Sequence, residues 1–462
     1  MTVVAETGQA EQFQLQRHHL QPVDFVGFPI DDLPQVSLNG GVFLKTDPSE
    51  YGVYNRDQYL PQMERVCATL ASIATHEEIE QTLGFAERAF DLYEGKEQLE
   101  HEGSHVFVIP TFISRDQQGR TYNTQIESSF PIAKYLDPKT LVNAVKGVPP
   151  CIVDSYPVDA DGRQAHVLFA PILPDMMQDL EYPRSLHTAR QIINDTVRFA
   201  HDRIGANIAG LGAILPLIVQ LGKEVNVEGM TTTTGHGGTV HLVAETIDRV
   251  VAEKGLPGNA IGIVGAKGSI GRASLAVLLE RYPNAKFVVN DTAIADAAGI
   301  KRFLGAFDGA DQARIQIVPT LQEVFDQAKV AVSAITGTID VAKETTNLEG
   351  VVIVDDSQPG AFDPIAVEAK GGNVVWVVGQ DNSAEGKLTR QGSFRFGDTG
   401  LMRMKDVFGC EAEASSVYNF DPSSAISTRV TPAIAKRIGQ LFKENEIGVA
   451  DTLQTFGRAV LL

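Results

Sequence analysis

From about residue 260 onward, the chain alternates short apolar runs with amphipathic stretches. Residues 260–264 form an apolar run short enough for a buried strand, and the apolar face of residues 274–279 indicates a helix soon after it. Further β-branched runs predict strands at 287–289, 315–318, 330–335, 351–354 and 374–378, and helices are predicted at 293–304 and 321–327. This alternation predicts a parallel sheet with right-handed crossovers, whose ligand binds at the carboxyl ends of the strands.

The first half of the chain is less regular. Apolar residues at helical spacing predict a helical region over 56–98, a strand over 105–113 and helices over 185–202 and 240–251. The pattern divides the chain into four predicted segments: an N-terminal arm with a helical extension (1–100), a substrate-binding α+β domain (101–230), a nucleotide-binding domain (231–420) and a C-terminal helical tail (421–462).

A glycine turn follows the strand at 260–264. In GIVGAKGSIG, Gly265 permits the tight turn, Gly268 lets the backbone approach a pyrophosphate, and Gly271 lets helix and strand pack closely. The helix after the turn presents unpaired N–H groups to the phosphates. We therefore predict a Rossmann-like, doubly wound α/β fold. The residues predicted to hold the cofactor are Gly265, Ala266, Lys267, Gly268, Ser269, Ile270, Gly271 and Asp291.

Asp291 bears on which dinucleotide is bound. It ends the second predicted strand, 20 residues after Gly271, where a carboxylate can bind the adenosine ribose diol of NAD and repel a 2′-phosphate. The competing interpretation is that Asp291 caps the helix that begins at Thr292 or Ala293. Both roles are compatible, and the prediction is NAD(H).

Composition and charge exclude several classes of protein. The 462 residues are 43% hydrophobic and 21% charged, as in an ordinary globular protein, and the net charge of -19 argues against nucleic-acid binding. No apolar run is long enough to span a bilayer, and the N-terminus lacks the features of a signal peptide. The three cysteines form no disulfide framework or metal-ligand pattern. We expect a reduced, cytoplasmic protein without a metal, and the oligomeric state stays open.

Two polar positions outside the glycine turn are candidates for chemistry. His236 lies in the loop TTTTGHGGTVH at a helix start, which predicts either an anion or ligand site or an N-cap cluster. Cys410 lies near a helix start at Phe408. Basic residues upstream of Cys410, Arg403 and Lys405, would lower its pKa, whereas Glu411 and Glu413 would raise it.

Over residues 121–420, the sequence resembles the aldehyde-forming long-chain acyl-[acyl-carrier-protein] reductases. The resemblance rests on six segments that occur in a shared order with similar spacing. They are Ile126-Glu127-Ser128-Ser129-Phe130, Gly210-Leu211-Gly212, Thr233-Thr234-Gly235, Val264-Gly265-Ala266-Lys267-Gly268-Ser269-Ile270-Gly271, Ile353-Val354-Asp355 and Val407-Phe408-Gly409-Cys410-Glu411-Ala412-Glu413-Ala414.

The resemblance implies a two-step reduction of an acyl thioester, carried by coenzyme A or an acyl carrier protein. Cys410 matches the family's nucleophile, which forms an acyl-enzyme that hydride then reduces to an aldehyde. His236 is then a candidate proton donor, and Glu127 and Ser128 are implied to line the acyl pocket. The family is associated with NADPH, so NADP(H) also stays open as the cofactor.

Two other functions fit the same residues. The first is an NAD-dependent dehydrogenase of a small hydroxy- or amino-acid, in which Cys410 is structural. The second is a sensor or scaffold that binds NAD without turnover. An acyl adduct on Cys410 would distinguish thioester reduction from the first of these, and cofactor binding without hydride transfer would indicate the second.

Overall fold

The computed structural model describes most of the chain after residue 51. The described residues are 52–99, 103–110, 114–115, 121–122, 130–136, 144, 147–158, 163–172, 184–294, 296–335, 337–357, 360–383, 405–455 and 458–462. They form two compact units: the first contains the described residues up to Thr231, and the second contains those from Thr232 onward. The division into four segments, with separations near residues 100, 230 and 420, stays a prediction of the sequence.

The helical region predicted over 56–98 forms two of the helices of the first unit. The helices described in this unit are α1 (Arg56–Leu70), α2 (His76–Glu94), α3 (Arg184–Phe199) and α4 (Leu215–Ile218), with a π-helical turn at Ala200–Ile204 and a 3-10 turn at Pro131–Tyr135. The second helix begins at a capping box, in which Thr75 and Glu78 each bond the other's backbone N–H. It ends at Gly95, which adopts a left-handed conformation.

The main sheet of the first unit is mixed. Its strands are β1 (Gly103–Ile109), β4 (Cys151–Pro157), β5 (Gln164–Phe169), β6 (Ile208–Leu211) and β7 (Thr231–Thr233), in the order β4-β5-β1-β6-β7, and a separate ribbon joins β2 (Ser114–Arg115) to β3 (Thr121–Tyr122). Strand β1 is parallel to β5 and β6, whereas β4 is antiparallel to β5. The hydrophobic core of the first unit contains the buried residues Val106, Leu168 and Ile193.

The second unit is built on a six-stranded parallel sheet. The strands are β8 (Ala260–Val264), β9 (Lys286–Asn290), β10 (Ile315–Ile317), β11 (Val330–Ser333), β12 (Val352–Asp355) and β13 (Asn373–Trp376). They lie in the order β10-β9-β8-β11-β12-β13, which is the 3-2-1-4-5-6 order of a Rossmann sheet. Strands β8, β11 and β12 are buried on both faces, which explains why each appears in the sequence as an apolar run. The predicted doubly wound α/β fold is confirmed.

Helices connect these strands and extend beyond them. They are α5 (His236–Lys254), α6 (Ser269–Arg281), α7 (Ala297–Leu304), α8 (Gly309–Gln312), α9 (Leu321–Gln327), α10 (Val341–Glu344), α11 (Pro364–Glu368), α12 (Gly409–Phe420) and α13 (Pro432–Glu444), with 3-10 turns at Pro257–Asn259, Thr292–Ile294 and Pro422–Ser424. The predicted helix at 293–304 is thus a 3-10 turn followed by α7, which begins at the N-cap Asp296.

The C-terminal residues belong to the second unit. Helices α12 and α13 pack against each other and against α5, and small antiparallel sheets complete the region. Their strands are β14 (Gly379–Asp381), β15 (Asp406–Val407), β16 (Ile447–Val449), β17 (Gln454–Thr455) and β18 (Arg458–Ala459). Among the described residues, no helix has the length and apolar character needed to cross a membrane.

Candidate functional site

The glycine turn between β8 and α6 is tightly folded on itself. Gly265 has a φ of +81°, and a Cβ at this position would lie 2.5 Å from the Ala334 carbonyl oxygen. A Cβ at Gly271 would lie 2.2 Å from the Gly265 carbonyl oxygen. The N–H of Gly268 donates a hydrogen bond to the carbonyl oxygen of Gly265 at 3.1 Å, and this bond closes the turn. The turn therefore requires glycine at positions 265 and 271, as the sequence predicted.

The start of α6 is open to a ligand. Gly268 is the N-cap and is exposed, and Ser269 and Ile270 are partly exposed. The first N–H groups of a helix have no acceptor within that helix, and no described residue accepts a hydrogen bond from the N–H of Ser269, Ile270 or Gly271. These amides and the positive end of the helix dipole fit a pyrophosphate.

Asp291 joins this turn to the end of β9. Its carboxylate accepts hydrogen bonds from the backbone N–H of Lys267, at 2.8 Å, and of Ala293, also at 2.8 Å. The capping role considered from the sequence is therefore present. Each carboxylate oxygen bonds one of these donors and keeps a further lone pair for a ribose hydroxyl. Lys267 is exposed, and its Nζ donates to the Ala293 carbonyl at 3.4 Å.

The start of α5 is closed by a carboxylate from elsewhere in the chain. Glu413 of α12 is fully buried and accepts hydrogen bonds from the backbone N–H of Gly235, at 2.9 Å, and of Gly238, at 2.8 Å. The Thr233 hydroxyl also donates to Glu413. Burial raises the pKa of the Glu413 carboxyl, and these hydrogen bonds oppose the rise. Glu413 thus occupies the anion site predicted from the loop before α5.

His236 lies at the beginning of α5 and contacts the start of α6. Its Nδ1 lies 3.0 Å from the Ser269 hydroxyl, so one predicted catalytic residue meets one predicted cofactor residue. His236 is 7% exposed, and burial lowers its pKa to about 4. The imidazole is therefore neutral near pH 7, which means that it can form hydrogen bonds there but does not supply a proton as an imidazolium.

Cys410 lies in the first turn of α12, against the start of α5. A Cβ on Gly235 would lie 2.2 Å from the Cβ of Cys410, so glycine is required for this close approach. Burial raises the pKa of the Cys410 thiol well above its ordinary value, and the carboxyls of Glu411 and Asp356 raise it further. The lowering expected from nearby basic residues does not appear: the Lys405 ammonium donates to the Ser383 carbonyl instead, and Arg403 lies outside the described residues.

The structure therefore brings together His236, Ser269 and Cys410, which are far apart in the sequence. The implied acyl-pocket residues Glu127 and Ser128 lie outside the described residues. Sequence reasoning treated Glu413 only as a charge near Cys410 and missed its role as the acceptor for α5. The available signal was a carboxylate flanked by Ala412 and Ala414 in a helix, a context that predicts burial.

The first unit contains a cavity of ≈ 550 Å³ between α2 and β4, lined in part by Arg88, Asp154 and Ser155. None of the predicted site residues that the structure describes lies along it. Within the described ranges, no group of three or more His, Cys, Asp or Glu residues is arranged to hold a metal ion.

The strand order, the glycine turn and the open start of α6 define the second unit as a Rossmann-type α/β unit. Comparison with known proteins does not identify a family: no family model matches the chain, and no curated protein matches it in sequence.

Several solved structures are distantly similar to the chain. Quinate dehydrogenase from Corynebacterium glutamicum in complex with NAD is 14% identical, with 74% of this chain and 100% of that one covered and a TM-score of 0.32. Malic enzyme from Entamoeba histolytica is 11% identical, with 96% and 90% covered and a TM-score of 0.32. L-tryptophan dehydrogenase from Nostoc punctiforme is 10% identical, with 75% and 89% covered and a TM-score of 0.24. These similarities are too low to assign an activity.

Proposed function

We propose that this chain is an oxidoreductase that uses a nicotinamide dinucleotide, with NAD(H) as the preferred cofactor. The observation that carries the proposal is the open start of α6, where three backbone N–H groups and a glycine turn lie at the carboxyl edge of a Rossmann sheet. The N–H groups of Ser269, Ile270 and Gly271 would hold the pyrophosphate, Gly268 would let the backbone approach it, and Asp291 would bind the adenosine ribose. When bound, the nicotinamide supplies or accepts a hydride.

The substrate we propose is a small hydroxy- or amino-acid, or the corresponding carbonyl compound. This proposal is supported by the state of Cys410, since a thiol whose pKa is raised chiefly by burial is a poor nucleophile at neutral pH. Cys410 then has a packing role against Gly235. His236, held by Ser269, would donate or accept a hydrogen bond at the substrate oxygen as a neutral imidazole.

A second candidate is the reduction of an acyl thioester from coenzyme A or an acyl carrier protein to an aldehyde. One observation favours it: Cys410 is partly exposed in the first turn of α12, where the helix dipole stabilises a thiolate, and it lies beside the loop that holds His236. The resemblance to the long-chain acyl-[acyl-carrier-protein] reductases supports the same chemistry.

Cofactor binding is the first experiment. Isothermal titration with NADH and NADPH should show a lower Kd for NADH. In Asp291→Ala, the ratio of the NADPH Kd to the NADH Kd should fall by about tenfold, because an acceptor for a ribose hydroxyl is lost. Tighter NADPH binding by the unmodified protein would overturn the assignment of NAD(H), and binding of neither would overturn the proposed function.

Substrate class is decided by a second experiment. The protein is incubated with NADH and a panel of 2-oxo acids, acyl-CoA and acyl-carrier thioesters, while nicotinamide absorbance and aldehyde formation are followed. We expect oxo-acid reduction that survives Cys410→Ala. Aldehyde formation, an acyl adduct on Cys410 by mass spectrometry and loss of both in Cys410→Ala would instead establish the second candidate.

A further inference from the structure

Two consecutive aspartates stand at the end of β12, and their surroundings differ. Asp355 is fully buried and accepts hydrogen bonds from three backbone N–H groups, those of Ser357 at 3.1 Å, Ala361 at 2.7 Å and Phe362 at 3.3 Å. The side chain of Asp356 is partly exposed, and its carboxyl accepts no hydrogen bond from any residue that the structure describes. Asp355 therefore holds the loop in place, and Asp356 is left available to a ligand.

The backbone fixes Asp356 at the carboxyl edge of the sheet. Its N–H donates to the carbonyl of Ser333, the last residue of β11, at 2.9 Å. The next residue, Ser357, accepts a hydrogen bond from the N–H of Ile335 at 3.3 Å, which ties together the segments that follow β11 and β12. Strand β11 is also the direct neighbour of β8, which carries the glycine turn. Asp356 thus lies on the edge where a Rossmann sheet binds its ligands.

The groups that face Asp356 disfavour its charged form. The half-buried Asp356 carboxyl is partly removed from water, which raises its pKa well above the ordinary value, and the negative charge of the adjacent Asp355 raises it further. From the other side, the thiol of Cys410 at the start of α12 is close enough that Asp356 raises its pKa. Among the residues that the structure describes, Asp355 and Cys410 are the titratable groups that interact with Asp356, and neither supplies a positive charge.

We propose that Asp356 is the catalytic acid that delivers a proton to the reacting oxygen of the substrate. The inference rests on the proposed function. In the reductive direction, the carbonyl carbon accepts a hydride from the nicotinamide, and the C=O π bond breaks. The carbonyl oxygen takes the proton from the Asp356 carboxyl, an O–H bond forms, and the resulting carboxylate regains a proton from water. In the oxidative direction, the carboxylate accepts the hydroxyl proton.

This assignment resolves a difficulty with His236. A histidine that is neutral at physiological pH orients a substrate oxygen through a hydrogen bond but is a poor proton source, whereas a protonated carboxyl is suited to that task. The two residues would then divide the work: His236 orients the oxygen, and Asp356 exchanges the proton with it.

The protonation of Asp356 can be measured without cofactor or substrate. Infrared difference spectra are recorded at neutral pH between the unmodified protein and Asp356→Asn, with ¹³C-labelled aspartate to identify carboxyl bands. We expect Asp356→Asn to remove a protonated-carboxyl band. The matched control Asp326→Asn, an exposed aspartate on α9, should remove an ionised-carboxylate band. An ionised band lost in Asp356→Asn would overturn the proposal.

Turnover provides the second readout. In Asp356→Asn, kcat for carbonyl reduction should fall by about 10²- to 10⁴-fold with NADH affinity unchanged, and Asp356→Glu should recover part of the loss. The reductive kcat of the unmodified protein should also decline as pH rises through the Asp356 pKa. Full activity in Asp356→Asn would overturn this role alone. Failure of the unmodified protein to bind NADH would overturn the proposed function and the role together.

Discussion

The starts of α5 and α6 look alike in sequence and differ in the folded protein. Both helices follow a polar, glycine-rich segment, TTTTGHGG in one case and GAKGSIG in the other. At α6 the first N–H groups have no acceptor among the described residues, whereas at α5 the Glu413 carboxylate binds them. A glycine-rich helix start therefore does not by itself identify a ligand site. A helix start can bind an anionic ligand only if no carboxylate from another part of the chain already accepts hydrogen bonds from its N–H groups.

The largest effect is expected when the carboxylate at the start of α5 is removed. Glu413→Ala leaves two buried N–H groups and the Thr233 hydroxyl without their acceptor, at about 1–3 kcal/mol for each donor. We expect the free energy of unfolding, from urea denaturation, to fall by at least about 3 kcal/mol. The control Glu444→Ala removes an exposed glutamate of α13 and should have little effect.

Added acetate should restore part of the stability that Glu413→Ala loses. Without Glu413, the start of α5 becomes an empty anion site, so acetate should restore stability in proportion to its occupancy. The unmodified protein should show no such dependence on acetate. A stability of Glu413→Ala close to that of Glu444→Ala would mean that the carboxylate does not hold the start of α5.

A smaller effect is expected at the open helix start. In Gly271→Ala, the added Cβ would lie 2.2 Å from the Gly265 carbonyl oxygen, so the turn must shift at a cost of about 1–3 kcal/mol. Calorimetry should show a lower Tm, and NADH affinity should fall because the α6 amides move. The control Gly309→Ala places its Cβ in open space in the same unit. Equal Tm and NADH affinity in the two variants would argue against the tight turn.

The effect at His236, which joins the two helix starts through Ser269, depends on pH. The pKa of His236 is lowered to about 4 from an ordinary value of 6.5, so the unfolded state binds more protons between these values and stability is lost as pH falls through that window. In His236→Gln, the slope of the free energy of unfolding against pH should decrease in this window by up to about 1.4 kcal/mol per pH unit. Urea denaturation at several pH values measures it.

The cause of the His236 shift can be separated with Ser269→Ala. Because burial is the cause of the lowered pKa, loss of the Ser269 hydroxyl should leave the His236 pKa low while costing about 1 kcal/mol of stability. An NMR titration of the His236 imidazole in Ser269→Ala would measure this pKa. A His236 pKa that returned to the ordinary range in Ser269→Ala would show that the hydrogen bond, rather than burial, sets it.

Local patterns predicted the second unit well. The bounds of β8 and α9 are those predicted, because a strand buried on both faces must be apolar along its length and a short amphipathic helix repeats its apolar positions. Residues 56–98 were less well predicted, since the break between α1 and α2 depends on the capping box at Thr75, which a hydrophobic pattern does not reveal. The start of the next helix was predicted: the loop before 240–251 placed His236 at a helix start, and α5 begins there.

The candidate site was only partly predictable for a similar reason. The glycine spacing and Asp291 act within one βαβ unit, so their geometry follows from nearby residues. The acidic pair Asp355-Asp356 at the end of β12 is visible in the sequence. Nothing local indicates that the Asp355 carboxyl binds three amides while the Asp356 carboxyl binds no amide of the described residues.

The sequence by itself determined the α/β alternation, the order of the strands along the chain and the glycine turn, because each depends on apolar periodicity or on backbone conformations that only glycine adopts readily. The tertiary structure decided what each helix start binds and which groups titrate. Glu413 reaches the start of α5 across more than 170 residues, and Cys410 and His236 owe their shifted pKa values to burial. Charge burial and hydrogen-bond partners exist only once distant segments have packed together.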